Sequence, residues 1–168
     1  DAQGRLLAPD AFLPTAERFG LAADIDQWII AHAIDQLAAA RRRHPGRCYA
    51  INLSAQSLTV PAVADLITRK LADTGLDPGA LTFEVTETTA IADMGTAVDF
   101  LRRLRTLGCK TALDDFGSGM SSFAYLQELP VGAVKIDGRF VRHLSDNPVD
   151  QAMVRAMNEI AHALGKLT

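Results

Sequence analysis

Leu81-Thr82-Phe83-Glu84-Val85-Thr86-Glu87, Cys109-Lys110-Thr111-Ala112-Leu113-Asp114-Asp115 and Ala133-Val134-Lys135-Ile136-Asp137 share one design. Each is an apolar run of strand length that ends in charge or is interrupted by it. A carboxylate or ammonium taken out of water loses solvation worth several kcal/mol unless a partner or a cation compensates it. Glu84, the Asp114-Asp115 pair and Lys135 lie at the ends of successive predicted strands. They therefore point to one edge of one sheet, to a divalent metal and to a reaction there.

The same alternation continues in both directions. Upstream, Cys48-Tyr49-Ala50-Ile51-Asn52-Leu53 reads as a short buried strand. A helical signal follows Pro9-Asp10, with Phe12, Leu13, Ala16 and Phe19 before Gly20. A longer helix is predicted over 23–43, carrying Ile25, Trp28, Ile29, Ala33, Ile34 and Leu37 at helical spacing, and Pro45-Gly46 stops it. Pro61 introduces a helix over 62–74 that ends at Gly75. An amphipathic helix over 96–107 is closed by Gly108. Phe116-Gly117-Ser118-Gly119 reads as loop, 122–127 as a short helix, 131–136 as the fourth strand and 149–164 as the last helix.

Helix and strand alternate throughout, the pattern of parallel strands joined by right-handed crossovers. Strands apolar on both faces suit a sheet with helices on one side and other strands filling the other. A doubly wound nucleotide fold usually carries a glycine-rich turn after its first strand. Here the polar residues fall at strand ends instead, where a (β/α)8 barrel keeps its active site. The expected class is α/β, with the barrel preferred. Four strands are countable where closure needs eight, and Gly165-Lys166-Leu167-Thr168 reads as the threshold of another strand. Residues 1–168 are therefore expected to form a single partial domain, the central part of a larger barrel.

Composition narrows the function. At 168 residues, 48% apolar and with a net charge of -3, the chain suits one hydrophobic core. No basic stripe favours DNA; the run Arg41-Arg42-Arg43-His44 falls at a helix end, where the dipole favours cations. No apolar run nears the roughly 20 residues of a membrane span, and no charged-then-apolar leader is visible. Direct membrane contact is not expected, and a cytoplasmic location is. Cys48 and Cys109 form neither a metal-type nor a redox-type pair, which suits reduced structural thiols. His32, His44, His143 and His162 do not cluster as ligands.

Each candidate residue has a functional and a bland reading. Asn52 can donate an amide oxygen to a hard cation or tie down a turn. Glu84 is harder to dismiss, because it lies inside an apolar strand and points opposite to Phe83 and Val85. Glu87, with Thr86, can simply cap the next helix. Asp114 and Asp115 would face opposite ways in a regular strand; at a strand end both can reach one site, or one can brace the turn. Paired acids repel unless a cation lies between them. Lys135 either bridges to Asp114 or Asp115 or stands beside a phosphate or a metal-bound water, and both can hold together. Gly117 and Gly119 alone do not make a phosphate-binding fingerprint.

Taken together, Leu113-Asp114-Asp115-Phe116-Gly117-Ser118-Gly119-Met120-Ser121-Ser122 resembles the signature loop of EAL domains, the cyclic di-GMP phosphodiesterases. Ile51-Asn52-Leu53-Ser54, Phe83-Glu84-Val85-Thr86-Glu87 and Leu129-Pro130 leading to Lys135-Ile136-Asp137 add to the likeness. So do Phe12-Leu13-Pro14-Thr15-Ala16-Glu17 and Gly20-Leu21, and the likeness spans essentially the whole chain. It implies a modified TIM (β/α)8 barrel that hydrolyses cyclic di-GMP to linear pGpG. By position, Asn52, Glu84, Asp114 and Asp115 would be ligands of two Mg2+ or Mn2+ ions. Lys135 would hold the attacking water or a phosphate oxygen. Glu87 would anchor the 115–122 loop. A homodimer, and fusion to sensor or GGDEF-type domains in the parent protein, are family expectations.

Some of the family pattern is absent. The Glu-Ala-Leu strand, with its metal-binding glutamate and nearby arginine, and the final strands are missing from this stretch. The segment alone is therefore expected to be inactive. Met120 stands for the commoner tyrosine, Ser118 for threonine and Gly132 for a frequent aspartate. The alternative is a catalytically inactive EAL module acting as a cyclic di-GMP receptor or protein-interaction domain. Every ligand position open to inspection is filled, which favours the enzyme.

Overall fold

The computed structural model describes residues 7–119 and 123–168. Four strands, β1 (Tyr49–Asn52), β2 (Leu81–Thr86), β3 (Lys110–Phe116) and β4 (Ala133–Ile136), form one sheet in the order β1-β2-β3-β4, all parallel. A parallel bridge between Ala133 and Leu167 extends the sheet beyond β4.

Nine α-helices accompany the strands among the described residues: α1 (Leu13–Arg18), α2 (Ala22–Arg41), α3 (Ala55–Thr59), α4 (Pro61–Thr74), α5 (Glu87–Ala92), α6 (Met94–Thr106), α7 (Ala124–Glu128), α8 (Gly138–Val141) and α9 (Pro148–Ala163). Three short ones, α3, α5 and α8, go beyond the sequence expectations. At four to six residues they are too short to show a helical period. Each starts within three residues of a strand end on a side-chain cap: Ser54 accepts from Ser57 N, Thr86 from Thr89 N and Asp137 from Arg139 N. These caps turn the chain sharply where the polar residues gather. Met120, Ser121 and Ser122, the end of the signature loop and the start of the predicted 122–127 helix, lie outside the described residues.

Register sorts the side chains by face. Ile51, Phe83, Val85, Leu113 and Val134 are buried in one core with Ile30, Ile34 and Leu37 of α2, Ile67 of α4, and Leu101 and Leu104 of α6. The alternate residues, Asn52, Glu84, Ala112, Asp114 and Lys135, occupy the opposite face. That face is polar toward the C-terminal ends of the strands, which corrects the expectation of strands apolar on both sides. The stripe on α2 also differs from expectation. Ile34 and Leu37 are buried as expected, but Trp28 is 63% and Ile29 39% exposed, and the buried line continues through Ile30 and Asp26.

Candidate active site

Three of the expected residues meet on the open face. Glu84 pairs with Asn52 across β1 and β2, and Ala112 pairs with Ala133 across β3 and β4. Two residues further along, Asp114 and Lys135 come side by side. Lys135 Nζ donates to Glu84 Oε2 at 2.6 Å and to Asp114 Oδ2 at 2.8 Å. Glu84 is buried, whereas the Lys135 side chain remains 47% exposed. Burial draws the Lys135 pKa down, but the hydrogen bonds and charges of Asp114 and Glu84 outweigh it, and the net shift is upward. Lys135 is therefore a held ammonium. The sequence offered Asp114 or Asp115 as its partner; Asp114 is the one found, and Glu84 joins it.

Asp115 breaks the regular alternation of β3: Leu113 and Phe116 on either side of the acid pair are both buried in the core. The Asp115 φ of +54° makes it the one non-glycine residue with a left-handed backbone among the described residues, a conformation costing roughly 1–2 kcal/mol unless the surroundings fix it. The β3–β4 register shifts between Leu113 and Phe116, so the chain leaves the regular pleat here. Asp114 also braces this turn, because its Oδ1 accepts from Asp115 N at 2.9 Å. Burial, then the Asp114 and Asp137 carboxylates, push the Asp115 carboxyl above the ordinary aspartate value, with Lys135 and Arg139 pulling it back.

Glu87 serves the next part of the loop. It is fully buried, and its Oε2 accepts from Gly117 N at 2.9 Å and Gly119 N at 3.2 Å, while Tyr125 donates its hydroxyl to Oε1. Thr86, not Glu87, caps α5. Gly117 has φ +91°, and a Cβ there would come within 2.5 Å of Met157 Cε, so the turn needs glycine for both angle and space. On the outer side Arg139 donates to Ser118 O at 3.2 Å and to Asp137 Oδ2 at 2.9 Å. Tyr125 and Arg139 escaped the sequence reading. A tyrosine three residues beyond the loop and an arginine two residues after Asp137 were the signals available.

Asn52, Glu84, Asp114 and Asp115 are oxygen donors, the class that hard divalent cations take. Among the described residues, no three His, Cys, Asp or Glu side chains are gathered closely enough to hold an ion by themselves. Instead two of the four donors close on the Lys135 ammonium. The donor chemistry fits Mg2+ or Mn2+, and a cation already lies between two of the acids. Asn52 is exposed at the end of β1, beside Glu84 in register.

The chain matches the model of the EAL domain over residues 1–168. It is 41% identical over 162 residues to a protein of Shewanella oneidensis named cyclic di-GMP phosphodiesterase PdeB, covering 96% of this chain and 19% of that one. It is 37% identical over 156 residues to cyclic di-GMP phosphodiesterase PdeF of Escherichia coli, covering 93% and 21%. The chain thus spans about a fifth of the length of these curated relatives. Among solved structures it resembles the PaMucR phosphodiesterase in complex with c-di-GMP, with TM-score 0.90, 34% identity and coverage of 99% of this chain and 68% of that one. It also resembles the FimX EAL domain from Pseudomonas aeruginosa bound to c-di-GMP, with TM-score 0.88, 30% identity and coverage of 98% and 65%. Its four parallel strands and their helices are part of a modified (β/α)8 barrel. The chain belongs to the EAL domain family.

Proposed function

We propose that residues 1–168 are the central part of an EAL barrel whose intact form hydrolyses one phosphodiester bond of cyclic di-GMP to give linear pGpG. The observation that carries this reading is the Glu84–Lys135–Asp114 pairing on the open face of the sheet. Similarity to relatives named cyclic di-GMP phosphodiesterases supports it. Asn52, Glu84, Asp114 and Asp115 would hold one or two Mg2+ or Mn2+ ions, which when bound supply Lewis-acid polarisation of water and neutralise phosphodiester charge. Lys135, held as an ammonium, is suited to position the attacking water or a phosphate oxygen and unsuited to accept a proton. Glu87 is a loop anchor rather than an acid or base, since its oxygens are engaged by the loop and Tyr125. A homodimer, sensor or GGDEF-type neighbours and a cytoplasmic location belong to the same proposal.

The test is incubation of the full-length parent protein with cyclic di-GMP and either Mg2+ or Mn2+. Appearance of pGpG that EDTA abolishes is the expected result. Tight binding of cyclic di-GMP without product under either metal would favour a second reading, a receptor. Similarity to the FimX EAL domain, whose structure is described as bound to c-di-GMP, is the observation behind it.

A further inference from the structure

We propose that Asp26 of α2 is a positioning residue that fixes the turn after β1 and thereby aims Asn52. The inference rests on the reading of Asn52 as a member of the rim. Asp26 is 7% exposed and continues the apolar line of Ile30, Ile34 and Leu37, a place where an aliphatic side chain would serve packing better. Its Oδ2 instead accepts from Ser54 N at 2.7 Å and from Ser57 Oγ at 2.6 Å. Both donors belong to the turn two to five residues beyond Asn52. No salt bridge answers this carboxylate among the described residues, so its charge is met by donors, and charge-assisted hydrogen bonds are the strong ones.

The need for such a tether follows from Asn52 itself. Its side chain is exposed and makes no hydrogen bond among the described residues, so its placement depends on the backbone around it. That backbone is held at two consecutive amides: Leu53 N donates to Glu84 O at 2.9 Å and Ser54 N to Asp26. The first ties the turn to β2, the strand that bears Glu84. The second ties it to α2 on the opposite side of the core. Ser54 then caps α3 by accepting from Ser57 N at 3.4 Å. Removing Asp26 frees Ser54 to shift relative to Glu84, leaving the turn held by Leu53 N and, further on, by the Gln56 side chain, which accepts from Ala22 N at 3.2 Å and donates to Glu17 O at 2.6 Å.

The experiment compares Asp26→Ala, Asp26→Asn and Ser57→Ala in the full-length parent, below the melting temperature of each. Both bonds land on one oxygen of Asp26, so the asparagine amide oxygen can accept them, whereas alanine cannot. Expected for Asp26→Ala is an Mn2+ affinity weaker by about tenfold to a hundredfold and faster amide hydrogen exchange over residues 52–57. Asp26→Asn should stay within about threefold of wild type, and Ser57→Ala, which removes one bond of two, should fall between. A lower melting temperature for Asp26→Ala with unchanged Mn2+ affinity and unchanged exchange over 52–57 would overturn the proposal and leave Asp26 a packing residue. If the wild type binds no Mn2+, the reading of the rim fails on its own. Exchange then decides alone: acceleration confined to 52–57 supports the tether, and no acceleration there rejects it.

Discussion

Glu84 and Glu87 lie three residues apart at one strand-to-helix corner, both buried, and they are balanced in opposite ways. Glu84 faces the open side of the sheet and leans on a half-exposed ammonium. Glu87 faces the loop and leans on backbone N–H groups and a tyrosine hydroxyl. A half-exposed cationic side chain can give way to another cation or to a ligand at modest cost, because water can take it up. Backbone donors fixed by the fold of the loop give way less readily, because a donor left bare away from water costs about 1–3 kcal/mol. The pair teaches that burial alone does not mark a reactive acid; the nature of its partner does.

The largest effect should come from the Glu87 side of the comparison. Glu87→Ala removes a fully buried acceptor from several part-buried donors and is expected to cost roughly 3–5 kcal/mol of stability, read by denaturant unfolding of the full-length parent. Glu84→Gln should cost less than a third of that, since Lys135 is half exposed and water can replace the lost bond. Equal losses at the two positions would erase the distinction. Next comes Lys135→Met, expected to lower turnover by about a hundredfold to a thousandfold while leaving Mn2+ binding largely intact, as single-turnover kinetics and metal titration would show. Unchanged turnover would remove Lys135 from the mechanism.

Gly117→Ala places a methyl against Met157 at positive φ, and about 2 kcal/mol of lost stability is expected, measured as a lower melting temperature. Smallest is Arg139→Ala. Its guanidinium and the carbonyl it meets are open to water, so stability should fall by about 1 kcal/mol or less. A loss as large as that of Glu87→Ala would mean that the loop is held from outside, not from beneath.

Much of this arrangement was legible in the sequence. The four strands showed because apolar runs of strand length sit between glycine and proline stops, and the acids and lysine showed because charge interrupts those runs. The short helices α3, α5 and α8 were not legible, since a cap and one turn carry no periodicity. The direction of Asp115 was hidden because it depends on a left-handed turn and a register shift, which no pattern of residue types announces. Asp26 was hidden for a different reason. An acid in a long helix reads as part of its solvated face, and the line through Ile30, Ile34 and Leu37 that exposes it was masked by a second apolar line through Ile25 and Ile29. The partners of Glu87 lie 30 to 38 residues away, so residue pattern alone suggests a helix cap, and only the family resemblance pointed to a loop anchor.

Convergence of Asn52, Glu84, Asp114 and Asp115 on a bound cation is tested most directly by titrating Mn2+ into the full-length parent, wild type against Glu84→Gln and Asp114→Asn. Saturable binding that each substitution weakens by about tenfold or more is the expected result. Binding that neither substitution alters would place the ion elsewhere and contradict the site.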